Sequence, residues 1–172
     1  MKNPGIADTH RANDWERQLQ SRLTVFGHRN WIVLADAAYP EQSNPGIETI
    51  VVAADPFEVI GKVLEAITQS AHVRANVYID AEMQFVEEGD APGINNFRFE
   101  LAELLNPTQL QPLPHEEIIA KLDQAAKLFR VLIVKTRLTI PYTSVFFELD
   151  CGYWSAEAEA RLRRRISAAQ AG

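Results

Sequence analysis

The most restrictive feature of this sequence is an alternation. Short, almost wholly apolar runs are separated by longer segments whose apolar residues recur every three or four positions. Trp31–Ala35 is one such run, and residues 50–54 and 130–135 are two more of strand length. Between them Asp55, Pro56 and Glu58 supply an N-cap, a first-turn proline and an acidic third residue. They open a helix whose Val59, Ile60, Val63, Leu64 and Ile67 form one apolar face. A strand without polar alternation has to be covered on both sides. The pattern therefore predicts an α/β domain of three layers, with helices packed on a largely buried central sheet.

The remaining segments fit that plan. Trp15, Leu19, Leu23 and Phe26 recur at helical spacing behind Asn13 and Glu16, which read as a capping box, and Gly27 reads as a left-handed stop. Residues 76–83 read as a strand with Tyr78, Asp80 and Glu82 on one face. A short helix is predicted over 97–105, then a Pro-rich link, NPTQLQPLP, then a helix carrying Ile118, Ile119, Leu122, Ala125 and Phe129. Strands follow over 130–135 and 143–149, and the Ala-, Glu- and Arg-rich tail reads as a last helix. The expected organisation is one domain over residues 1–172, with 1–12 a loose extension and 153–172 a helical one.

Charge and motif inventory exclude several function classes. The 23 acidic residues outnumber the 17 Lys and Arg for a net charge of −6 and a pI near 5.2, the wrong sign for a chain that grips nucleic acid through its phosphates. No run reaches the length a membrane helix needs, and the N-terminus has no apolar signal core, so a cytoplasmic protein without membrane insertion is expected. The lone Cys151 allows neither an internal disulfide nor a thiolate zinc site. No GxGxxG or GxxxxGK[ST] spacing occurs, Ser144 sits in YTSVF rather than a GxSxG elbow, and His10, His28, His72 and His115 lack paired spacing. Neither nucleotide binding by those routes nor a dedicated transition-metal site is expected. Arg161, Arg163, Arg164 and Arg165 follow Glu157 and Glu159 on the tail helix and read as a solvated, ion-paired face.

Two polar residues stand at the ends of the first strand, where α/β sheets commonly bind ligands: His28 before it and Asp36 after it. Both positions also have a plain structural account, His28 as a partner of the helix C-terminus and Asp36 as the first residue of a turn into Tyr39-Pro40. Position alone does not separate these readings. On the last strand Tyr142, Ser144, Phe146 and Glu148 alternate onto one face, so the two hydroxyls are candidates for a pocket wall. Glu148 reads as an exposed edge charge. Asp80 and Glu82, ~7 Å apart on a strand, read as solvated or ion-paired carboxylates outside any site.

The segment FGHRNWIVLADAAYP, residues 26–40, resembles the histidine, apolar strand and aspartate-alanine block of the D-ribose pyranase and L-fucose mutarotase family. The strand and Asp-capped helix of residues 47–67 and the closing PYTSVFFELDCG match in order, so the resemblance spans about residues 21–152. It implies the D-ribose pyranase fold and cofactor-free interconversion of the cyclic forms of a monosaccharide through the open-chain aldehyde. His28 is then the general acid and base, a role that suits a group titrating near neutrality. Asp36 holds a sugar hydroxyl or orients the histidine, and Tyr142 contributes its hydroxyl and backbone. Ser144 stands where the family usually has asparagine, exchanging a fixed amide for a rotating hydroxyl. His115, at a helix start, resembles a histidine of the ribose-specific branch. The departure at Ser144 favours one alternative, a non-catalytic monosaccharide-binding protein of the same fold.

An extended Trp31–Ala35 would put His28 and Asp36 ~20 Å apart, too far for one monosaccharide. Either the chain bends after His28 or two subunits share the site. The resemblance implies the second, in a ring-shaped homo-oligomer, often a decamer, with pockets at subunit contacts.

Overall fold

The computed structural model describes residues 6–105 and 110–170, with side chains described from residue 14 onward. The helices are α1 (Ile6–Leu23), α2 (Pro56–Gln69), α3 (Ile94–Leu104), α4 (His115–Ala126) and α5 (Ala156–Gln170); the strands are β1 (Trp31–Ala35), β2 (Ile47–Val51), β3 (Val73–Asp80), β4 (Leu110–Leu113), β5 (Val131–Lys135) and β6 (Val145–Cys151). The strands form one sheet in the order β2-β5-β1-β6-β3-β4. β1, β2 and β5 are mutually parallel, β3 is parallel to β4, and β6 runs antiparallel to both neighbours, β1 and β3.

All five residues of β1 are buried, and alternation sends them to two different cores. Ile32 and Leu34 pack with apolar residues of α1, α2 and α3, while Trp31, Val33 and Ala35 pack with Ile118, Leu122 and Ala126 of α4. β6 does the same, sending Val145, Phe147 and Leu149 to the first core and Phe146 to the second. Helices therefore cover both faces of the sheet, as the uninterrupted apolar runs require. Among the described residues no helix is long and apolar enough to cross a membrane.

Asp55 caps α2 as its sequence position demands, its carboxylate accepting the amides of Phe57 (2.9 Å) and Glu58 (3.3 Å). Asp55→Ala is expected to cost about 1 kcal/mol, lowering Tm by roughly 2–4 °C. An unchanged melting temperature would show that these two bonds contribute nothing.

Elsewhere the structure corrects the sequence. α1 starts at Ile6, so Asn13 lies inside the helix and not at its N-cap; of the extension expected to be loose, residues 1–5 lie outside the described residues and 6–12 are helical. Gly27 is not the left-handed residue. The chain after α1 closes a tight turn, with the Asn30 amide donating to the Gly27 carbonyl (3.1 Å) and the Gly27 amide to Asn30 Oδ1 (2.8 Å), and Arg29 takes the positive φ of 75°. The strand expected over 50–54 is β2 and begins at Ile47; as an edge strand it needs less apolar character. β3 ends at Asp80 and gives way to a 3-10 turn, Ala81–Gln84, which carries Glu82 off the face it would share with Asp80. The Pro-rich link contains β4, paired only with β3, an edge position that tolerates Pro112. Residues 106–109 of the link lie outside the described residues. Because β6 is interior, Glu148 is not an edge charge; it accepts the Tyr78 hydroxyl at 2.8 Å. α5 buries none of its residues and carries a Glu159 to Arg163 ion pair at 2.6 Å, consistent with a solvated face.

Candidate functional site

A cavity of about 680 Å³ opens at the end of the sheet where β1, β3 and β4 finish and β6 begins. The parallel strands deliver their carboxyl ends here, the usual place for a ligand site in such a sheet. Asp36, the first residue past β1, lines it, with Oδ1 accepting the Ala38 amide at 2.7 Å and so forming the turn into Tyr39 and Pro40. The plain account of Asp36 as a turn former and its position on a cavity wall are both true.

His115 enters from the first residue of α4. Its residue before, Pro114, offers no side-chain cap, and the vacant role is filled from a distance: the carboxylate oxygens of Glu82 each accept the His115 backbone amide at 3.0 Å. An acidic group at a helix N-terminus also suits the helix dipole. The imidazole Nδ1 lies 2.9 Å from Oδ1 of Asp80. Asp80 is wholly buried, and its other oxygen, Oδ2, has no hydrogen-bond partner among the described residues. Burial pushes the Asp80 carboxyl above the usual carboxylate range, outweighing the opposing pull of His115. The Tyr142 ring meets the His115 ring edge to face, with centroids 5.8 Å apart. Tyr142 has a positive φ of 58°, an unusual backbone state for a tyrosine that turns its side chain toward the cavity wall.

Tyr39 completes the wall. Burial, reinforced by the nearby Asp123, Asp80 and Asp36 carboxylates, pushes its phenol up to about 12, so it stays a neutral donor at any ordinary pH. Asp36, Asp80 and Glu116 line the cavity, and among the described residues no Lys or Arg does. Such a lining can bind hydroxyl donors and repels anions.

His28 lies in a different place. β1 is fully extended and paired on both sides, so the chain does not bend back, and His28 lines a separate cleft of about 760 Å³ with Arg29, Trp31, Lys121, Phe129 and Glu148. Asp36 does not orient it. That is done by Asp150, whose Oδ1 lies 3.0 Å from His28 Nδ1, while Arg29 Nε donates to His28 Nε2 at 3.1 Å. Together these bonds assign the ring proton to Nδ1. Arg74 grips the other oxygen of Asp150 at 2.7 and 3.2 Å and, with the Cys151 amide and His28, holds that carboxyl below its ordinary range. Ser144 is 2% exposed and is not part of the cavity wall, because the left-handed Tyr142 breaks the alternation that would put both hydroxyls on one face. Among the described residues, no group of three or more His, Cys, Asp or Glu is placed to hold a metal ion.

Residues 15–151 match the model of the RbsD / FucU transport protein family. The chain belongs to this family. Among solved structures it is similar to Bacillus subtilis RbsD complexed with D-ribose, at 20% identity and a TM-score of 0.54, over 87% of this chain and 98% of that one. It is also similar to the fucose mutarotase of Streptococcus pneumoniae in complex with L-fucose (19%, TM-score 0.50, 77% and 91%) and to FucU from Bifidobacterium longum (15%, TM-score 0.50, 78% and 94%). No curated protein matches the chain. The six-stranded sheet with helices on both faces is the fold shared with these RbsD and FucU neighbours.

Of the five residues singled out in the sequence, the fold brings Asp36, His115 and Tyr142 to one cavity, sends His28 to another and buries Ser144. Sequence reasoning missed Asp80 and Tyr39. The signal for Asp80 was present as an acidic residue inside an apolar strand, where a buried carboxylate needs a partner.

Proposed function

We propose that this RbsD / FucU family member is a cofactor-free isomerase that interconverts the cyclic forms of an unphosphorylated monosaccharide. The observation that carries this reading is the meeting of Asp36, His115 and Tyr142 around one cavity, of a volume ordinary for small-molecule sites. A hemiacetal opens when its anomeric O–H gives up a proton while the ring oxygen receives one and the C–O bond breaks. Closure of the resulting aldehyde on its other face yields the second anomer, and closure through a different hydroxyl yields a furanose. Both steps need a proton acceptor and a proton donor that exchange roles. In this reading Asp36 and Tyr142 hold sugar hydroxyls, His115 faces the anomeric side, and His28 is the acid and base group. Ser144 acts from behind the wall, setting the backbone next to Tyr142.

Because His28 occupies its own cleft at the other end of β1, the site is completed by a second copy of the chain. That copy brings its His28 cleft against the cavity of its neighbour in a ring-shaped homo-oligomer, and a cytoplasmic location accords with such a protein. Light scattering that shows a monomer at working concentration would argue directly against the shared site.

The test is magnetisation-exchange NMR on D-ribose, L-fucose and other aldoses. The expected result is faster anomer or ring-form exchange with at least one neutral sugar, and weaker binding of its phosphate ester, because Asp36, Asp80 and Glu116 line the cavity and no Lys or Arg does among the described residues. A second reading, a monosaccharide-binding protein without activity, draws support from the buried Ser144 and the separate position of His28. Binding without any change in exchange rate would favour it.

A further inference from the structure

The end of β3 holds a residue that the packing alone does not call for. Asp80 sits in register with Leu113 of β4, wholly buried, at a position where an apolar side chain would fill the space without a desolvation cost. It instead places a carboxylate with one oxygen on His115 Nδ1 and the other unpaired among the described residues. A buried polar atom without a partner is costly and rare, so its retention asks for a compensating use.

We propose that Asp80 is the positioning residue of the sugar cavity: it holds His115 with its proton on Nδ1, so that Nε2 is presented to the ligand as a hydrogen-bond acceptor. This rests on the sugar-isomerase reading above and deepens it, assigning His115 the proton-accepting face of the site.

Three features set the geometry. The β3 and β4 pairing places the last residue of β3 beside the strand that leads directly into α4. Glu82 clamps the His115 backbone amide through both carboxylate oxygens, so the ring is anchored at its base as well as at Nδ1. The Tyr142 ring, meeting it edge to face, limits rotation of the imidazole about its own axis. A neutral imidazole free in water prefers the proton on Nε2, which would present a donor to the cavity. Hydrogen bonding of Nδ1–H to a carboxylate reverses that preference and fixes the ring, the same logic by which an aspartate orients the histidine of a hydrolase triad. The charged groups facing the pair are Glu82 from the 3-10 turn, Asp36 from the end of β1 and Glu116 from α4, all acidic. Tyr39, Gln42, Thr139 and Tyr142 line the same cavity and carry donors, but among the described residues the hydrogen bonds of His115 run to its amide and to Nδ1, which leaves Nε2 open to the ligand.

The experiment compares wild type, Asp80→Asn and Asp80→Ala by long-range 15N–1H correlation NMR of the histidine rings, together with sugar exchange kinetics across pH. In wild type, His115 is expected to carry its proton on Nδ1; in Asp80→Ala it reverts to the Nε2–H form. The exchange rate at saturating sugar should fall by roughly 10- to 100-fold, part of the ~10²–10⁴-fold that a placed acid–base group supplies, while the sugar concentration for half-saturation changes much less. Asp80→Asn, close in shape, separates loss of charge from loss of packing: it should keep the fold and melting temperature yet show the altered tautomer and pH profile. An Nε2–H tautomer in wild type, or a tautomer and pH profile unchanged in both variants, overturns the proposal. If wild type turns over no sugar but the tautomer switches as described, the functional reading falls and the positioning role stands.

Discussion

His28→Ala is expected to remove accelerated sugar exchange almost completely, a loss of about 10²–10⁴-fold, the usual contribution of a positioned acid–base group. The structure makes this a clean substitution. The His28 side chain is more than half exposed, and Asp150, its partner, retains Arg74 and the Cys151 amide, so no carboxylate is orphaned. Arg29 loses a bond to Nε2 but keeps its guanidinium over the Phe129 ring at 5.6 Å. The melting temperature should therefore stay close to that of wild type while exchange disappears, and activity that survives would refute the role. The same variant tests whether the site is shared. When His28→Ala chains are mixed with His115→Ala chains and reassembled, some sites combine an intact His28 from one chain with an intact His115 from another. Activity should return in the mixture, and its failure to do so would place both histidines in the service of a single subunit.

Phe146→Ala is expected to produce the largest change in stability, about 3–5 kcal/mol for removing a fully buried aromatic. That corresponds to a fall in Tm of roughly 6–20 °C. Phe146 is 0% exposed and stands on the interior strand β6, opposite Val33 of β1 and Tyr78 of β3, in the smaller of the two cores. That core is what α4 packs on, through Ile118, Leu122 and Ala126. A cavity under α4 should thus loosen the helix that carries His115, and exchange activity should fall at temperatures well below the transition. Chemical denaturation with activity measured in parallel checks both points. A loss of stability under 1 kcal/mol would mean that the α4 face is not a tightly packed core.

The fold was legible wherever a local pattern and a burial requirement agree. Trp31–Ala35 reads as a strand covered on both sides because nothing polar interrupts it, and Asp55-Pro56 starts a helix through bonds to its own next few amides. The misreadings fall where distant partners decide. β4 is short, contains Pro112 and has little apolar character, and it is a strand only because β3 pairs with it. Glu82 looked like a strand-face carboxylate, yet its use is to cap α4 across a gap of 33 residues. The left-handed turn at Arg29 owes as much to the Leu149 carbonyl, which accepts its amide at 2.8 Å, as to the glycine two positions earlier.

For the candidate site the division is similar. The amino-acid order alone determined the layered α/β architecture, the family resemblance, and the placing of Asp36 and His115 at element ends, because strand and helix termini are written in neighbouring residues. Only the tertiary structure decided that Asp80 rather than Asp36 holds a histidine in the cavity, that Asp150 holds the other, that Ser144 is buried, and that His28 faces a different cleft. Those outcomes depend on which strands lie side by side, and the order β2-β5-β1-β6-β3-β4 is set by the burial of both sheet faces at once, which no single segment encodes.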